Sequence, residues 1–503
     1  MKKVLTFTIF FLLFIVLTVS ANEERVAIIT VYDDIDDVSS IQTYIDEIKD
    51  LNYTGVAIHS RYRGDATYLP NKSDSSYPNN EPRSYTAGSV DVLQEFTQRG
   101  HASGLEVFAY VNCYLVTDGK DSDWRDNHIL NTHPDWVTYY YNNGSPIVQT
   151  TEHNGDGKWI DPGIPQARQY IADLCGDIMM NYDCDGIILD RIRYPQTSWT
   201  RTNKDFGYHP TAISNFHAQY GGSGIPDPYD SDWIEFRQDM ISDTVNLINQ
   251  TIKSIDSSHI LYAYPIGRYN DAVNFNYQNW PDWLNNGYAD GVFPQIYTSS
   301  NSTFSSRCDE NRNAYSGSRL LGVATMAYTS GIDVAGQIRI ARDKGFEGIT
   351  PYRHGSMESL GYFDDLKEVF GIVVDNAEPE FSASSNWWTS TWSSEKFEDS
   401  YRVRACEAAS DAATWIADLP SSGNWEVYAW WTGGYNRAYS APYIVYHSGG
   451  YNVIGVDQRY NGGQWNYLGT WNMNSGTNYV KLSCWTSSGD YVIADAVKWV
   501  KAD

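Results

Sequence analysis

The sequence predicts an α/β protein in two parts: a (β/α)8 barrel of the TIM type, then a smaller all-β sandwich. Two observations carry this. From about residue 25 to residue 370, short β-branched and aromatic runs alternate with segments of helical periodicity. After Gly371 the helical periodicity stops, and aromatic alternating runs follow between Gly, Ser and Asn turns.

The elements follow in order. Lys2 and Lys3 precede an apolar run over residues 4–19, and Val19-Ser20-Ala21 fits a small-x-small cleavage site. Residues 1–21 therefore read as a signal peptide and the mature chain as secreted, starting at Asn22. A short membrane anchor is the rival reading. Eight strand runs are expected over residues 26–32, 54–60, 106–112, 186–190, 260–264, 291–297, 320–328 and 348–352. Helical segments at 40–51, 90–103, 166–181, 233–254, 280–286 and 334–344 precede six of them. This is a (β/α)8 count over residues 22–370. A doubly wound open sheet is disfavoured, because no Gly-rich phosphate loop follows an early strand. Residues 374–503 form the expected sandwich, with runs at 425–431, 443–447, 452–457, 465–469, 479–483 and 491–500.

Charge bounds the partners. With 36 basic and 62 acidic residues the formal net charge is -26. Removing Lys2 and Lys3 gives 34 minus 62, or -28. Such a surface argues against nucleic acid, anionic membranes and acidic polysaccharides as non-specific partners, while leaving room for a local basic pocket. Aromatics make up 15% of the chain, with 39 Tyr and 18 Trp. Their flat apolar faces with one polar atom suit sugars, and also aromatic cross-strand pairs in a β-rich protein. The six cysteines form no CxxC pair. Cys406 and Cys484 share the C-terminal part, and the sequence leaves their pairing open.

The strand at 186–190 ends in Asp190-Arg191-Ile192-Arg193-Tyr194-Pro195. Charge at the carboxyl end of a parallel barrel strand faces the active site. Asp190 is therefore the first catalytic candidate, against the alternative of a turn cap or an ion pair with Arg191 or Arg193. Histidines 59, 101, 153, 209 and 354 match no ligand spacing, so no metal or other cofactor is expected. Asp33-Asp34-Ile35-Asp36-Asp37 lacks EF-hand spacing and reads as a charged turn.

Several of these runs carry a family likeness. His59-Ser60-Arg61-Tyr62-Arg63-Gly64-Asp65-Ala66, Tyr110-Val111-Asn112-Cys113-Tyr114, Asp161-Pro162-Gly163-Ile164-Pro165, Asp190 to Pro195, Trp280-Pro281-Asp282-Trp283 and Pro294-Gln295-Ile296-Tyr297 occur in that order. Together they resemble the family 10-like putative glycosyl hydrolases, over residues 25 to 353. The chain departs from that pattern at His59, where glutamine is usual, and at Cys113 and Leu115, where proline and arginine are usual. The C-terminal part resembles the golvesin- and xanthan-lyase-type carbohydrate-binding domain. Its matching runs are Asp375-Asn376-Ala377-Glu378-Pro379, Ala441-Pro442-Tyr443, Val456-Asp457-Gln458-Arg459, Gly462-Gly463-Gln464-Trp465-Asn466 and Ala494-Asp495-Ala496-Val497.

The resemblance implies a carbohydrate-active enzyme without fixing its substrate; with the signal segment and the C-terminal domain, the expectation is a secreted glycoside hydrolase cleaving O-glycosidic bonds in an extracellular or cell-wall polysaccharide. Such chemistry generally needs two carboxyl groups. Asp190 fits the nucleophile or base. The strand-four position also resembles the nucleophile position of amylase and α-galactosidase barrels, although Ile188 stands where those have arginine. The second carboxyl is sought among Asp161, Asp65, Asp271 and Glu152, in that order; Asp161 equally reads as a helix cap. Glu347 is set aside as facing the barrel bottom. His59, Arg61, Arg63, Asn112, Tyr114, Arg193, Tyr264, Gln295, Tyr297 and Arg353 are the expected substrate-binding residues, with an ion pair as the alternative for each arginine. Tyr435, Arg437, Gln464 and Trp465, with Asn436, are expected to present a sugar-binding surface on the sandwich. The expected partner is a polysaccharide, with no nucleic acid and no membrane after signal removal; oligomeric state is not legible. The main alternative is a non-catalytic carbohydrate-binding or surface scaffold protein. A deacetylase or amidase would want a metal or a nucleophile constellation that the sequence does not show.

Overall fold

The computed structural model describes residues 23–33, 35, 37–83, 90–117, 125–149, 157–196 and 203–502. The expected signal segment 1–21, Asp34, Asp36, Glu152 and His153 lie outside the described residues. Eight strands form the barrel: β1 (Glu24–Ile29), β2 (Gly55–Tyr62), β3 (Glu106–Asn112), β4 (Gly186–Asp190), β5 (Ile260–Ala263), β6 (Gly291–Val292), β7 (Leu320–Met326) and β8 (Gly348–Tyr352). Each pairs with the next in parallel, and β8 pairs back onto β1, so the sheet is closed. The sixth run, expected as one strand over 291–297, is split: Gln295–Ile296 resumes against β7 after Phe293 and Pro294.

Helices α1 (Val38–Asp50), α2 (Val92–Ala102), α3 (Pro165–Asn181), α4 (Ser231–Ile255), α5 (Trp280–Asn285), α6 (Asn301–Ala314), α7 (Val334–Asp343) and α8 (Tyr362–Val369) follow the strands in turn. Their starts explain several acidic residues. Asp37 accepts hydrogen bonds from the Ser39 and Ser40 amides at the start of α1, and Asp91, Asp230 and Asp333 cap α2, α4 and α7. The sequence reading missed α6 and α8. In α6 only Phe304, Cys308 and Asn311 are buried, a stripe too thin to read as amphipathic.

Strand alternation builds two cores. Val26, Ile28, Ala57, Phe108, Tyr110, Ile188, Tyr262, Tyr264, Phe293 and Ala324 face the barrel axis and form one buried cluster. Their strand neighbours, such as Val56, Ile58, Val107, Val111, Ile187 and Leu189, pack outward against the helices in another.

The C-terminal strands are β9 (Ile372–Val374), β10 (Phe381–Ser382), β11 (Trp388–Ser390), β12 (Tyr401–Ala405), β13 (Ala412–Leu419), β14 (Gly423–Ala429), β15 (Ala441–His447), β16 (Gly450–Val456), β17 (Asn466–Met473), β18 (Gly476–Ser483), β19 (Tyr491–Ala494) and β20 (Val497–Lys501). All pairings are antiparallel, in sheets ordered β9-β20-β14-β17, β10-β13-β18-β15-β16 and β11-β12-β19. Trp387, Trp415, Trp425, Trp431 and Trp499 fill a separate core between them. Cys406 and Cys484 stand as free thiols, their sulfurs turned to the Ser488 and Ala409 carbonyls. Polar contacts tie the two parts: Lys498 Nζ lies 2.9 Å from Glu368 Oε1, and Lys501 Nζ 3.0 Å from Asp50 Oδ1.

Candidate active site

The alternation that puts Ile188 on the barrel axis also puts Asp190 there, two residues further, at the strand's carboxyl end. The same count places Tyr110 and Asn112 of β3 and His59 of β2 in the top layer. Asn112 and Asp190 are direct partners in the β3–β4 register. Gln295 donates to Asp190 Oδ1 at 3.0 Å, and to the Tyr264 carbonyl at 2.7 Å, so its amide fixes the carboxylate. Arg191 Nε stands 3.9 Å from Asp190 Oδ2. The Tyr110 hydroxyl faces the same carboxylate, and burial pushes that phenol well above its ordinary pKa. Asp190 keeps 15% of its side-chain surface open, enough to meet a ligand.

His59 is buried, edge-on to the rings of Tyr62 (4.8 Å) and Tyr110 (5.2 Å). Burial holds its pKa down at about 4, against the pull of the Asp190 charge. The imidazole is therefore neutral at pH 7. Neither ring nitrogen has a protein partner, and Asn112 Oδ1 is likewise buried and unpartnered. These three buried, unsatisfied polar atoms lie in the top layer of the barrel near the carboxylate.

Tyrosines wall the mouth. Tyr297 stacks on Tyr352 at 5.7 Å, and Tyr328 stands edge-on to both. Beside them, past Arg353, Tyr32 meets Tyr62 at 5.6 Å, with the Arg63 guanidinium 4.0 Å from the Tyr62 ring centroid. Arg353 lies over Tyr32 and is engaged with Asp33 Oδ1 at 2.7 Å and Thr30 Oγ1 at 2.9 Å. Tyr32, Tyr62, Tyr110, Tyr328, Tyr352 and Arg191 were missed as site residues. A signal existed: the first, fifth, sixth, seventh and eighth predicted strands all end in tyrosine.

Other expected site residues are supports. Arg61 is fully buried; its Nε and Nη2 engage Glu81, and Nη1 donates to the Asn112 and Cys113 carbonyls. The cause is a β-bulge. The β2–β3 register pairs His59 with Tyr110 but Arg61 with Val111, so Ser60 is the extra residue and Arg61 turns out among the helices. Tyr114 is buried with its hydroxyl on Thr244 at 2.7 Å, and Tyr264 is buried with its hydroxyl on Thr350 at 2.8 Å. Arg193 stacks 4.8 Å from the Trp159 ring centroid. Asp161 has no exposed surface; it accepts from Thr138 Oγ1 at 2.6 Å and from the Gly163 amide at 2.8 Å, a turn ahead of α3, whose own N-cap is Ile164 without a side-chain bond. Burial raises its pKa. Asp271 is 3.5 Å from Arg268 at the start of a short helix. Asp65 sits in the short strand hairpinned onto β2, opposite Tyr62.

On the sandwich, Tyr435 is 94% exposed and Gln464 is exposed, while Arg437 is half-buried with Nη1 on Asn436 Oδ1. Trp465, expected to stand free, is half-buried against Phe397 (5.2 Å) and Trp430 (5.4 Å), with Lys498 over its ring.

A closed parallel barrel with a carboxylate at one strand end, unsatisfied polar atoms beside it and tyrosines around it places the chain among the (β/α)8 barrels, with its candidate site at the strand mouth. The chain belongs to the Glycosyl hydrolase-like 10 family, whose model matches residues 21–333. Residues 372–501 match the Golvesin C-terminal domain. Over 276 residues the chain is 25% identical to the glycosyl hydrolase YngK of Bacillus subtilis, covering 51% of this chain and 48% of that protein. It is 29% identical over 138 residues to a xanthan lyase of Bacillus sp. (strain GL1), covering 26% of this chain and 15% of that one. The chain thus spans less than half the length of these relatives. The glycoside hydrolase domain of PgaB (BpsB) from Bordetella bronchiseptica superposes with a TM-score of 0.51 at 14% identity, over 69% of this chain and 99% of that domain, a likeness of fold.

Proposed function

We propose that this protein is an exported glycoside hydrolase acting on O-glycosidic bonds of an extracellular or cell-wall polysaccharide, with residues 374–503 holding it to glycan. The observation that carries this is Asp190: one carboxylate on the barrel axis at a strand's carboxyl end, fixed by Gln295 and ringed by tyrosines. The Gln295 amide holds the Asp190 carboxylate in place and Arg191 lies beside it, a position that suits a nucleophile or base. His59 and Asn112 would take hydroxyls of the sugar whose anomeric carbon meets Asp190, and Tyr297 and Tyr352 would pack on its apolar face. Asp65 is the preferred acid, because the oxygens of Asp161 are taken up by Thr138 and Gly163 and Asp271 sits beside Arg268.

The test is release of reducing ends from a panel of cell-wall and capsular polysaccharides. Asp190→Asn should lower turnover by roughly 10²–10⁴ while the fold persists, the range for a positioned acid–base group. Azide restoring activity to a folded Asp190 variant would mark a nucleophile. Wild-type turnover in folded Asp190→Asn would remove Asp190 from the mechanism. The enclosure of Asp161 favours the second reading, a barrel that binds glycan without cleaving it; tight binding with no product from any polymer would establish that one.

A further inference from the structure

We propose that a groove beside Arg402 in the sandwich binds a carboxylate-bearing sugar, the anionic unit of an acidic polysaccharide. This rests on the reading of residues 374–503 as glycan-binding, and places the site away from Tyr435 and Trp465.

The groove has a volume of about 590 Å³ and runs between the 376–389 segment and β12. Arg402 lies in its wall, with the guanidinium over the Phe381 ring at 6.0 Å and Nη1 donating to Thr389 Oγ1 at 2.5 Å. Its Nε is buried without a partner. Among the described residues no carboxylate pairs with it. Two positions along β12, Arg404 is held by Glu407 and by Asp411, and Arg459 is clamped by Asp457. A chain with net charge -26 has acids to spare for each arginine, so one held in place without an acid is set for an anion from outside.

The rest of the lining decides the class of anion. Ser382, Ser385 and Thr389 present hydroxyls, and Phe381 a ring, which together suit a sugar ring carrying a carboxylate better than a bare ion. Glu378 also lines the groove and opposes an anion. Its charge is weakened, because burial and the neighbouring Glu398, Asp375 and Glu380 push its carboxyl up to about 7. The overall acidity repels polyanions at long range, so retention on an acidic polymer requires such a local site.

The experiment is affinity electrophoresis of the full-length protein through gels containing polygalacturonate, hyaluronate or a neutral glucan. The wild type should be retarded by an acidic polymer, less so as salt rises. Arg402→Gln should weaken that retardation by about tenfold or more, the scale of one charge-assisted pair. Ser382→Glu, an exposed change in the same groove, should do the same, so a folding defect in the arginine variant leaves the proposal open to refutation. Tyr451→Ser, an exposed change on β16 at the opposite edge of the sheet from β10, should leave it unchanged. Equal retardation of wild type and both groove variants would overturn the proposal. Retention on neutral glucan alone, abolished by Trp465→Ala, would overturn it while glycan targeting stands. Retention on no polymer would remove both.

Discussion

At the scale of single residues, His59 and Arg61 show how one inserted residue separates ligand contact from support. Spaced two apart in a strand, they should share a face, and both were expected in the cleft. The bulge at Ser60 leaves His59 on the axis with two unpartnered nitrogens and sends Arg61 into a fully buried pair with Glu81, which Tyr170 also reaches at 2.6 Å. Removing one member of a buried pair strands the other, at a cost of about 3–5 kcal/mol. Arg61→Ala should therefore lower the urea midpoint of the barrel strongly, while Arg61→Met with Glu81→Leu should recover most of the loss. Full stability in Arg61→Ala, with a raised KM, would return Arg61 to the cleft. Asp190, Asn112 and Gln295 were legible because a parallel strand's end faces the mouth whatever surrounds it. Arg61 and Tyr114 were not, since a motif gives a residue's neighbours in sequence and not the bulge that turns its side chain.

At the scale of elements, β4 is the piece on which the site depends, and its first residue sets its fit. A Cβ on Gly186 would stand 2.2 Å from the Ile260 carbonyl of β5. Backbone cannot yield as a side chain can, so Gly186→Ala should push β4 off β5, at a cost of about 1–3 kcal/mol or more. The displacement would carry to Asp190, four residues along, so turnover should fall even where the protein stays folded. Wild-type turnover and melting in Gly186→Ala would show that β4 tolerates the shift. The strand runs were legible in the sequence because interior and helix-facing positions alternate around closed cores. The missed α6 has a different cause: Asn301–Ala314 is rich in Asn and Ser and buries one thin stripe, so its helix rests on the barrel surface beneath it and on the Ser300 cap. The long run at 491–500 was read as one strand, but it breaks at Asp495 and Ala496, and β19 and β20 enter different sheets.

At the scale of the whole molecule, the barrel and sandwich clusters are distinct, and we propose that residues 22–370 and 374–503 fold as separate units. Limited proteolysis should cut within 372–377 or 382–394 and leave two folded pieces; an insoluble C-terminal piece would argue for one shared core. Both parts carry acids that burial pushes upward: Glu106 at the barrel bottom to about 7, Glu378 to about 7 and Asp495 to about 8. Such a carboxyl binds its proton more tightly folded than unfolded, so stability falls as pH rises from the ordinary carboxylate range through the raised value. His59 works in the other sense. Its depressed value makes the unfolded chain the better proton binder between about 4 and the ordinary 6.5, and stability there gains with rising pH. Well above 6.5 the His59 contribution is nearly complete, and the raised acids dominate the change. Between pH 6.5 and pH 8 the protein should therefore lose on the order of 2 kcal/mol, most of it through Asp495, because water screens the partly exposed Glu106 and Glu378. Asp495 has no exposed surface and one carboxylate oxygen without a partner, so Asp495→Asn, which cannot ionise, should flatten the decline. Thermal melts at pH 6.5, 7.2 and 8 on wild type and Asp495→Asn decide the matter: a midpoint that holds or climbs across that range in the wild type would mean that these carboxyls ionise freely inside the fold.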